Sequence, residues 1–193
     1  MIRWLMFVIA SATVFTPLSL SAQGSLNFPV QTTANNGQSG VMFNVTASAA
    51  ITLYRVGCQA RTFTGIHTVE VWYRNGGFSL SSAGWVSAGT QAVDFTAINV
   101  TQQLPHNLNL SMTASQTYGI LIIFQSNSMG YTTNTASTPD YVGTHMTVGS
   151  QSYGLSYVSG SPPIGGSQFF PRGFVGAIWY DMAGATISAS LAP

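Results

Sequence analysis

The chain has 193 residues, of which 5% are charged and 46% are hydrophobic, and its formal net charge is +1. A soluble domain usually has about a quarter of its residues charged. All five basic residues are arginines, and they are scattered along the chain. Because nucleic acids and anionic membranes attract clustered basic residues, neither is expected as a partner.

The first 22 residues have the order of a secretory signal peptide. Arg3 precedes an apolar run over residues 4–15, and small residues follow at 19–22. This order predicts cleavage after Ala22, a secreted mature chain of residues 23–193 and an extracellular location. An apolar run of about 12 residues is too short to span a bilayer of roughly 30 Å as a helix, so no membrane span is expected after cleavage.

The mature chain has the length of a single domain. Its polar residues are mainly Ser, Thr, Asn, Gln and Gly, but its many aromatic and β-branched residues favour a folded protein over a disordered one. Cys58 is the only cysteine, so no disulfide can form within the chain. We predict a buried thiol, as is common for free cysteines. The alternative is a disulfide between two chains.

Alternation of apolar and polar residues predicts antiparallel β-strands along the whole mature chain, and no segment has helical spacing. The run 120–124 is apolar on both faces, which is typical of a central strand covered on each side. The predicted strands, about nine in number, are 41–46, 49–56, 66–74, 85–93, 107–112, 120–124, 141–148, 152–158 and 174–180.

Turn residues divide these strands. Asn75, Gly76 and Gly77 predict a hairpin, because Asn and Gly accept positive φ angles. The stretch 159–173 contains three prolines and is predicted to be a long surface loop. Many short strands separated by such turn and loop residues indicate an all-β, antiparallel, two-sheet β-sandwich of the jelly-roll type.

The strand 66–74 carries the first candidate ligand-binding residues. Alternation directs one set of side chains to the core and turns Glu70, Trp72 and Arg74 to the opposite face. An indole flanked by an acid and a guanidinium is suited to stacking on a sugar ring while polar groups bind its hydroxyls. The alternative is that Trp72 is covered by a loop or by the edge of the other sheet, since large aromatic residues are highly buried on average.

Three further residues are candidates for the same role. Trp85 and Tyr131 could add stacking surfaces. Arg172 ends the predicted loop between Pro171 and Gly173, where it could reach a ligand. Its more common role would be to hold the loop through backbone carbonyls.

Which side chains surround Cys58 depends on whether its strand alternates regularly. Strict alternation over 49–56 places Ile51, Leu53 and Arg55 on one face, with Val56 on the other. Continued alternation puts Cys58 beside Val56, but Gly57 would permit a β-bulge that reverses the facing.

No arrangement of residues indicates catalysis or a bound cofactor. The three histidines and Cys58 are far apart and form no zinc-ligand motif, and no Gly-x-Ser-x-Gly motif is present. We therefore predict neither a metal site nor enzymatic activity. Two alternatives stay open: a calcium ion held by loop carbonyls and one aspartate, and a glycan-active enzyme that pairs Glu70 with an aspartate.

Seven segments follow one another in order over most of the mature chain: 35–37, 40–46, 68–74, 83–85 with Gly89, 116–119, 170–172 and 176–180. Together they resemble a group of uncharacterised secreted bacterial β-sandwich domains. Members of that group are often modules next to sorting or secretion tails. The resemblance implies a β-sandwich fold and an extracellular location, and it implies no particular activity.

The sequence leads to two functional hypotheses. The first is a secreted, non-catalytic structural or adhesive protein that acts through its surface, with cell-envelope components or further copies of itself as partners. It depends on the scarcity of charge, because near-zero net charge gives little electrostatic protection against association. The second is a carbohydrate-binding module that stacks exposed aromatic residues on an extracellular glycan.

Overall fold

The computed structural model describes residues 26–183, so the predicted signal peptide at 1–22 lies outside the described residues. This part of the chain contains no helix long and apolar enough to cross a membrane. Its regular structure consists of strands: β1 (Leu26–Gln31), β2 (Asn36–Gln38), β3 (Gly40–Ala47), β4 (Ile51–Gln59), β5 (Gly65–Asn75), β6 (Trp85–Phe95), β7 (Thr101–Gln103), β8 (Leu110–Met112), β9 (Thr117–Phe124), β10 (Met129–Thr133), β11 (Tyr141–Val142), β12 (Met146–Val148), β13 (Ser152–Leu155), β14 (Gln168–Phe174) and β15 (Gly176–Met182).

The strands form two antiparallel sheets. The small sheet has the order β1-β15-β4-β7, and β8 also pairs with β4. The large sheet has the order β2-β10-β14-β13-β3-β9-β5-β6, and the β11–β12 hairpin joins it beside β3. The predicted all-β, antiparallel class is confirmed, whereas fifteen strands are described in place of about nine.

Part of this excess comes from predicted strands that are divided. The predicted strand 141–148 is the hairpin of β11 and β12. The predicted strand 174–180 is interrupted at Val175, after which the chain passes from β14 in the large sheet to β15 in the small sheet. At this crossing a Cβ on Gly176 would collide with the Gly57 carbonyl oxygen. The absence of a side chain therefore allows β15 to lie close against β4.

The predicted loop over 159–173 is wrong at its end, because β14 begins at Gln168 and lies between β10 and β13. Pro171 is tolerated inside this strand because the ladder to β13 is irregular there. Arg172 pairs with Ser152 and Phe169 with Gly154, so Pro171 falls at a bulge. Proline lacks an N–H, and a bulge is one of the few places in a sheet that accepts it.

The main hydrophobic core takes side chains from both sheets. The large sheet contributes alternate residues such as Phe43 and Phe174, whose rings stack at 4.0 Å. The small sheet contributes Ile51, Leu53 and Ile178, which are fully buried. Each completely buried side chain of this kind stabilises the fold by about 1.5–3 kcal/mol.

Strand β4 contains a β-bulge at Tyr54, rather than at Gly57, and this bulge reverses which of its side chains point to the core. Leu53 pairs with Tyr180 and Arg55 with Trp179, so Tyr54 is the extra residue. Consequently Leu53, Val56 and Cys58 all face the core. The prediction that Cys58 is a buried free thiol is confirmed, and burial raises the pKa of this thiol well above its ordinary value.

Strands β5 and β6 form the predicted hairpin, but their connection is longer than a tight turn. Gly76 and Gly77 have φ angles of +80° and +87°, as the turn signal requires. The chain then continues through a loop, residues 76–84, before β6 begins at Trp85. This loop folds over the large sheet and covers part of the candidate site.

Candidate functional site

The face of the large sheet turned away from the main core, here called the outer face, contains the residues proposed for ligand binding on β5. Val69 and Val71 belong to the main core, whereas Trp72 belongs to a second hydrophobic cluster. The predicted alternation of β5 is therefore confirmed. Because Trp72 pairs with Leu121 of β9, the apolar outer face continues from β5 into the middle of the sheet.

This outer face is covered near Trp72, so the indole is not open to solvent. Trp72 is only 8% exposed and Trp85 only 9%. The second cluster includes Ile164 of the loop 156–167, with Phe78 of the loop 76–84 packed against it. The structure therefore shows the alternative, in which loop residues cover Trp72.

Glu70 holds the Trp72 indole in place. The Trp72 Nε1 donates a hydrogen bond of 3.2 Å to Glu70 Oε2. The other carboxylate oxygen, Oε1, accepts a hydrogen bond of 3.1 Å from Gln125 Nε2. With Glu70 only 7% exposed, its carboxylate is occupied by these two donors and does not face solvent as a sugar-binding group.

Arg74 and Trp85 fasten the loop 76–84 to the sheet. The Arg74 guanidinium donates to the carbonyls of Gly77 at 2.7 Å and Ala83 at 3.2 Å. The Trp85 indole donates to the Ser79 carbonyl at 3.1 Å. Both side chains satisfy loop carbonyls, so their observed contacts are structural.

Tyr131 and Arg172 lie at the other end of the large sheet. Tyr131 is 1% exposed, and burial raises the pKa of its hydroxyl. The Arg172 guanidinium carbon lies 5.8 Å from the ring centroids of both Tyr131 and Phe169, and its Nη1 donates to the Pro171 carbonyl at 2.8 Å. Tyr131 is therefore not an exposed stacking surface, and Arg172 packs on aromatic rings and binds a backbone carbonyl.

The six candidates consequently form two groups that do not converge. Glu70, Trp72, Arg74 and Trp85 are neighbours on β5 and β6. Tyr131 is on β10, separated from β5 by four strands. At about 4.8 Å between neighbouring strands, this is roughly 24 Å. No single ligand site of ordinary size includes both groups.

A different set of aromatic residues, here called the aromatic row, reaches solvent on the outer face. Its members are Phe78, Tyr153 and Phe170. The Tyr153 ring centroid lies 4.8 Å from that of Phe170 and 5.8 Å from that of Phe78. Phe170 is 50% exposed. Sequence reasoning missed both phenylalanines: Phe170 lies in the stretch 159–173 that was predicted to be a surface loop, and Phe78 lies between two predicted strands.

The histidines have structural partners. The ring nitrogens of His67 lie 3.0 Å from Ser126 Oγ and 3.2 Å from the Phe63 carbonyl. His106 binds the Val69 carbonyl, and His145 binds the Tyr180 hydroxyl. Within residues 26–183, no group of three His, Cys, Asp or Glu side chains could hold a metal ion.

The charged side chains are few, and five of the eight described make hydrogen bonds within the protein. Residues 26–183 contain four arginines and four acids. Besides Glu70, Arg74 and Arg172, two more are engaged: Arg61 donates to the Ala34 carbonyl, and Asp140 accepts from the backbone and hydroxyl of Ser150. Large apolar side chains are exposed instead: Leu26, Phe63, Ile66, Leu80, Val86, Ile98, Val100, Val142 and Phe170.

No protein-family model matches the chain, and a search of curated proteins finds no similar sequence.

Proposed function

We propose that this protein is a secreted, non-catalytic structural or adhesive domain that acts through its surface and associates with further copies of itself. The observation that carries the proposal is the near-neutral surface, on which charged side chains are few while apolar side chains such as Ile66, at 74% exposure, face solvent. Such a surface gives little electrostatic protection against association. The predicted signal peptide at residues 1–22 supports an extracellular location for this role.

The fold is consistent with this use. Within the proposal, the two antiparallel sheets form a jelly-roll-like sandwich of the kind suggested by the resemblance to secreted bacterial domains. Sandwich domains pack their sheets around one core and carry loops at the two ends, where partners can bind. Within the proposal, the six residues first considered for ligand binding have structural roles.

Sedimentation of the purified secreted protein over a concentration series tests the proposal. We expect the mean mass to rise with concentration, and we expect the protein to be retained on isolated cell envelopes. A strict monomer at high concentration with no affinity for envelopes would refute it. Raising the ionic strength should not abolish the association, because charge pairs are a minor part of this surface.

A second candidate function is carbohydrate binding, and the aromatic row favours it. Phe170 is half exposed and backed by Tyr153, so a sugar ring could stack on its free face. A glycan array with the wild type and Phe170→Ala tests this hypothesis. Phe63→Ala is a matched control, because Phe63 is 48% exposed and lies outside the row. Loss of binding in Phe170→Ala alone would support the hypothesis, whereas no binding to any glycan would remove it.

A further inference from the structure

Strand β6 is an unprotected edge of the large sheet. It ends the strand order, and β5 is its only partner among the described strands. It runs for 11 residues, from Trp85 to Phe95, and it contains no proline or lysine and one charge, Asp94. Natural proteins usually protect long edge strands with charges, prolines or covering loops, because free backbone groups pair with other strands.

The register shows which backbone groups of β6 point away from the sheet. Gln125 donates to the Thr68 carbonyl at 2.9 Å, so the backbone groups of Thr68 face β9. Because these groups alternate along a strand, those of Val69 face β6, where Val69 pairs with Gln91. The N–H and C=O groups of Thr90 and Ala92 therefore point outward from the edge.

The part of β6 around Thr90 and Ala92, whose outward backbone groups have no partner among the described strands, is here called the free segment. Two features mark its ends. At one end, the ladder shifts between Val71 and Trp72, which places a bulge at Ala88. At the other end, the Asp94 carbonyl accepts a hydrogen bond of 2.8 Å from Gln102 Nε2. Between them, the side chains of Thr90 and Ala92 are exposed, so nothing described prevents another strand from approaching.

We infer that the free segment of β6 pairs antiparallel with β6 of a second copy, across a two-fold axis at Gln91. Thr90 of each copy then lies opposite Ala92 of the other, and these residues exchange four backbone hydrogen bonds. This inference rests on the proposed self-association and specifies its surface. It identifies the partner as a second copy because antiparallel edge pairing is self-complementary under two-fold symmetry.

Charge and shape agree with this register. The two Asp94 residues do not face each other, because Asp94 of one copy lies opposite the bulge at Ala88 of the other. The outer-face side chains along the segment are small, with Thr68 opposite Ala92 on the neighbouring β5. The joined sheets would extend the outer face from one copy into the next without a bulky residue at the junction.

The decisive variant is Thr90→Pro. Proline removes the outward N–H of Thr90 and crowds the approaching strand, but it leaves the ladder to β5 intact because Thr90 does not bond to β5. Ala92→Lys is a second variant, which adds a charge to each copy at the junction. Asn107→Lys is the matched control, since Asn107 is exposed and lies outside β6. Both β6 variants should weaken self-association at least tenfold in sedimentation, and the control should change it less than twofold.

A cross-link tests the axis directly. In a Cys58→Ala background, Gln91→Cys places two cysteines opposite each other in a non-hydrogen-bonded pair, where the Cα atoms are about 4.5 Å apart. This distance permits a disulfide. We expect rapid dimer formation on mild oxidation, and none for Thr113→Cys, an exposed position elsewhere.

The outcomes separate this inference from the proposed function. If the wild type associates, but the β6 variants associate equally well and Gln91→Cys forms no cross-linked dimer, the edge pairing is refuted and self-association stands. If the wild type is monomeric at all concentrations, both are refuted. If Thr90→Pro does not fold, the sedimentation of Ala92→Lys and the cross-linking of Gln91→Cys still test whether the two β6 strands pair.

Discussion

Replacement of Cys58 tests the main hydrophobic core. Cys58 is fully buried and faces the core beside Val56. Cys58→Ser places a hydroxyl in this apolar site, and a buried polar group without a hydrogen-bond partner costs about 1–3 kcal/mol. Cys58→Ala removes the sulfur and leaves only a small cavity, which costs about 1 kcal/mol. We therefore expect the serine variant to be the less stable of the two, although serine is closer to cysteine in shape.

Thermal and urea unfolding measure this difference. For a domain of 150–250 residues, each kcal/mol lowers the Tm by about 2–4 °C, so Cys58→Ser should unfold about 2–12 °C below the wild type. Equal stability of the serine variant and the wild type would refute the assignment of Cys58 to an apolar core site.

Thiol labelling is the independent measurement. Burial raises the pKa of the Cys58 thiol, and the side chain is not accessible, so a thiol reagent at neutral pH should react only through unfolding. Thr113→Cys in the Cys58→Ala background supplies an exposed reference thiol. Labelling of native Cys58 as fast as this reference would contradict the structure, and so would a disulfide-linked dimer through Cys58.

Three more predictions concern single buried contacts. Gly176→Ala should lower the free energy of urea unfolding by about 1–3 kcal/mol, because its Cβ has no room at the crossing between sheets; Gly149→Ala, whose nearest contact would be an ordinary 3.7 Å, should change it little. Burial lowers the pKa of His106 below 6.5, so protonation favours the unfolded chain. The free energy of unfolding should fall as the pH drops below about 6.5, by at most about 1.4 kcal/mol per pH unit, and His106→Gln should reduce this slope between pH 5 and 7.5. Glu70→Leu should cost about 1–3 kcal/mol in the same assay because the Trp72 indole N–H loses its acceptor, and Glu70→Gln, which keeps an acceptor oxygen, should cost less.

Alternation predicted the strands of the large sheet well where the ladder is regular. The predicted strands 41–46, 66–74 and 120–124 lie within β3, β5 and β9. In such strands the period of two follows directly from the pleat, and one face is buried by the main core. The sequence is therefore sufficient to place Phe43 or Val71 in that core.

The prediction failed where one extra residue changes the facing or where a strand leaves its sheet. The bulge at Tyr54 reverses the alternation of β4, and Pro171 lies inside β14 because a bulge accepts it. Both depend on the partner strand, since a bulge exists only relative to the strand opposite it. A local pattern cannot specify these positions, because the pairing involves residues far apart in the sequence.

On the outer face, the direction in which a side chain points and its exposure to solvent are different properties. Alternation correctly turned Trp72 away from the main core, but it carried no information about what covers that face. A signal was nevertheless present in β9, whose residues 120–124 are apolar on both faces. Leu121 and Ile123 must therefore be covered on the outer face, and the neighbouring Trp72 shares that cover. The same reasoning applied to β6 gives the opposite result: Thr90, Ala92 and Asp94 are small or polar on the outer face, so this face needs no cover there, and β5 is the only described strand that pairs with β6.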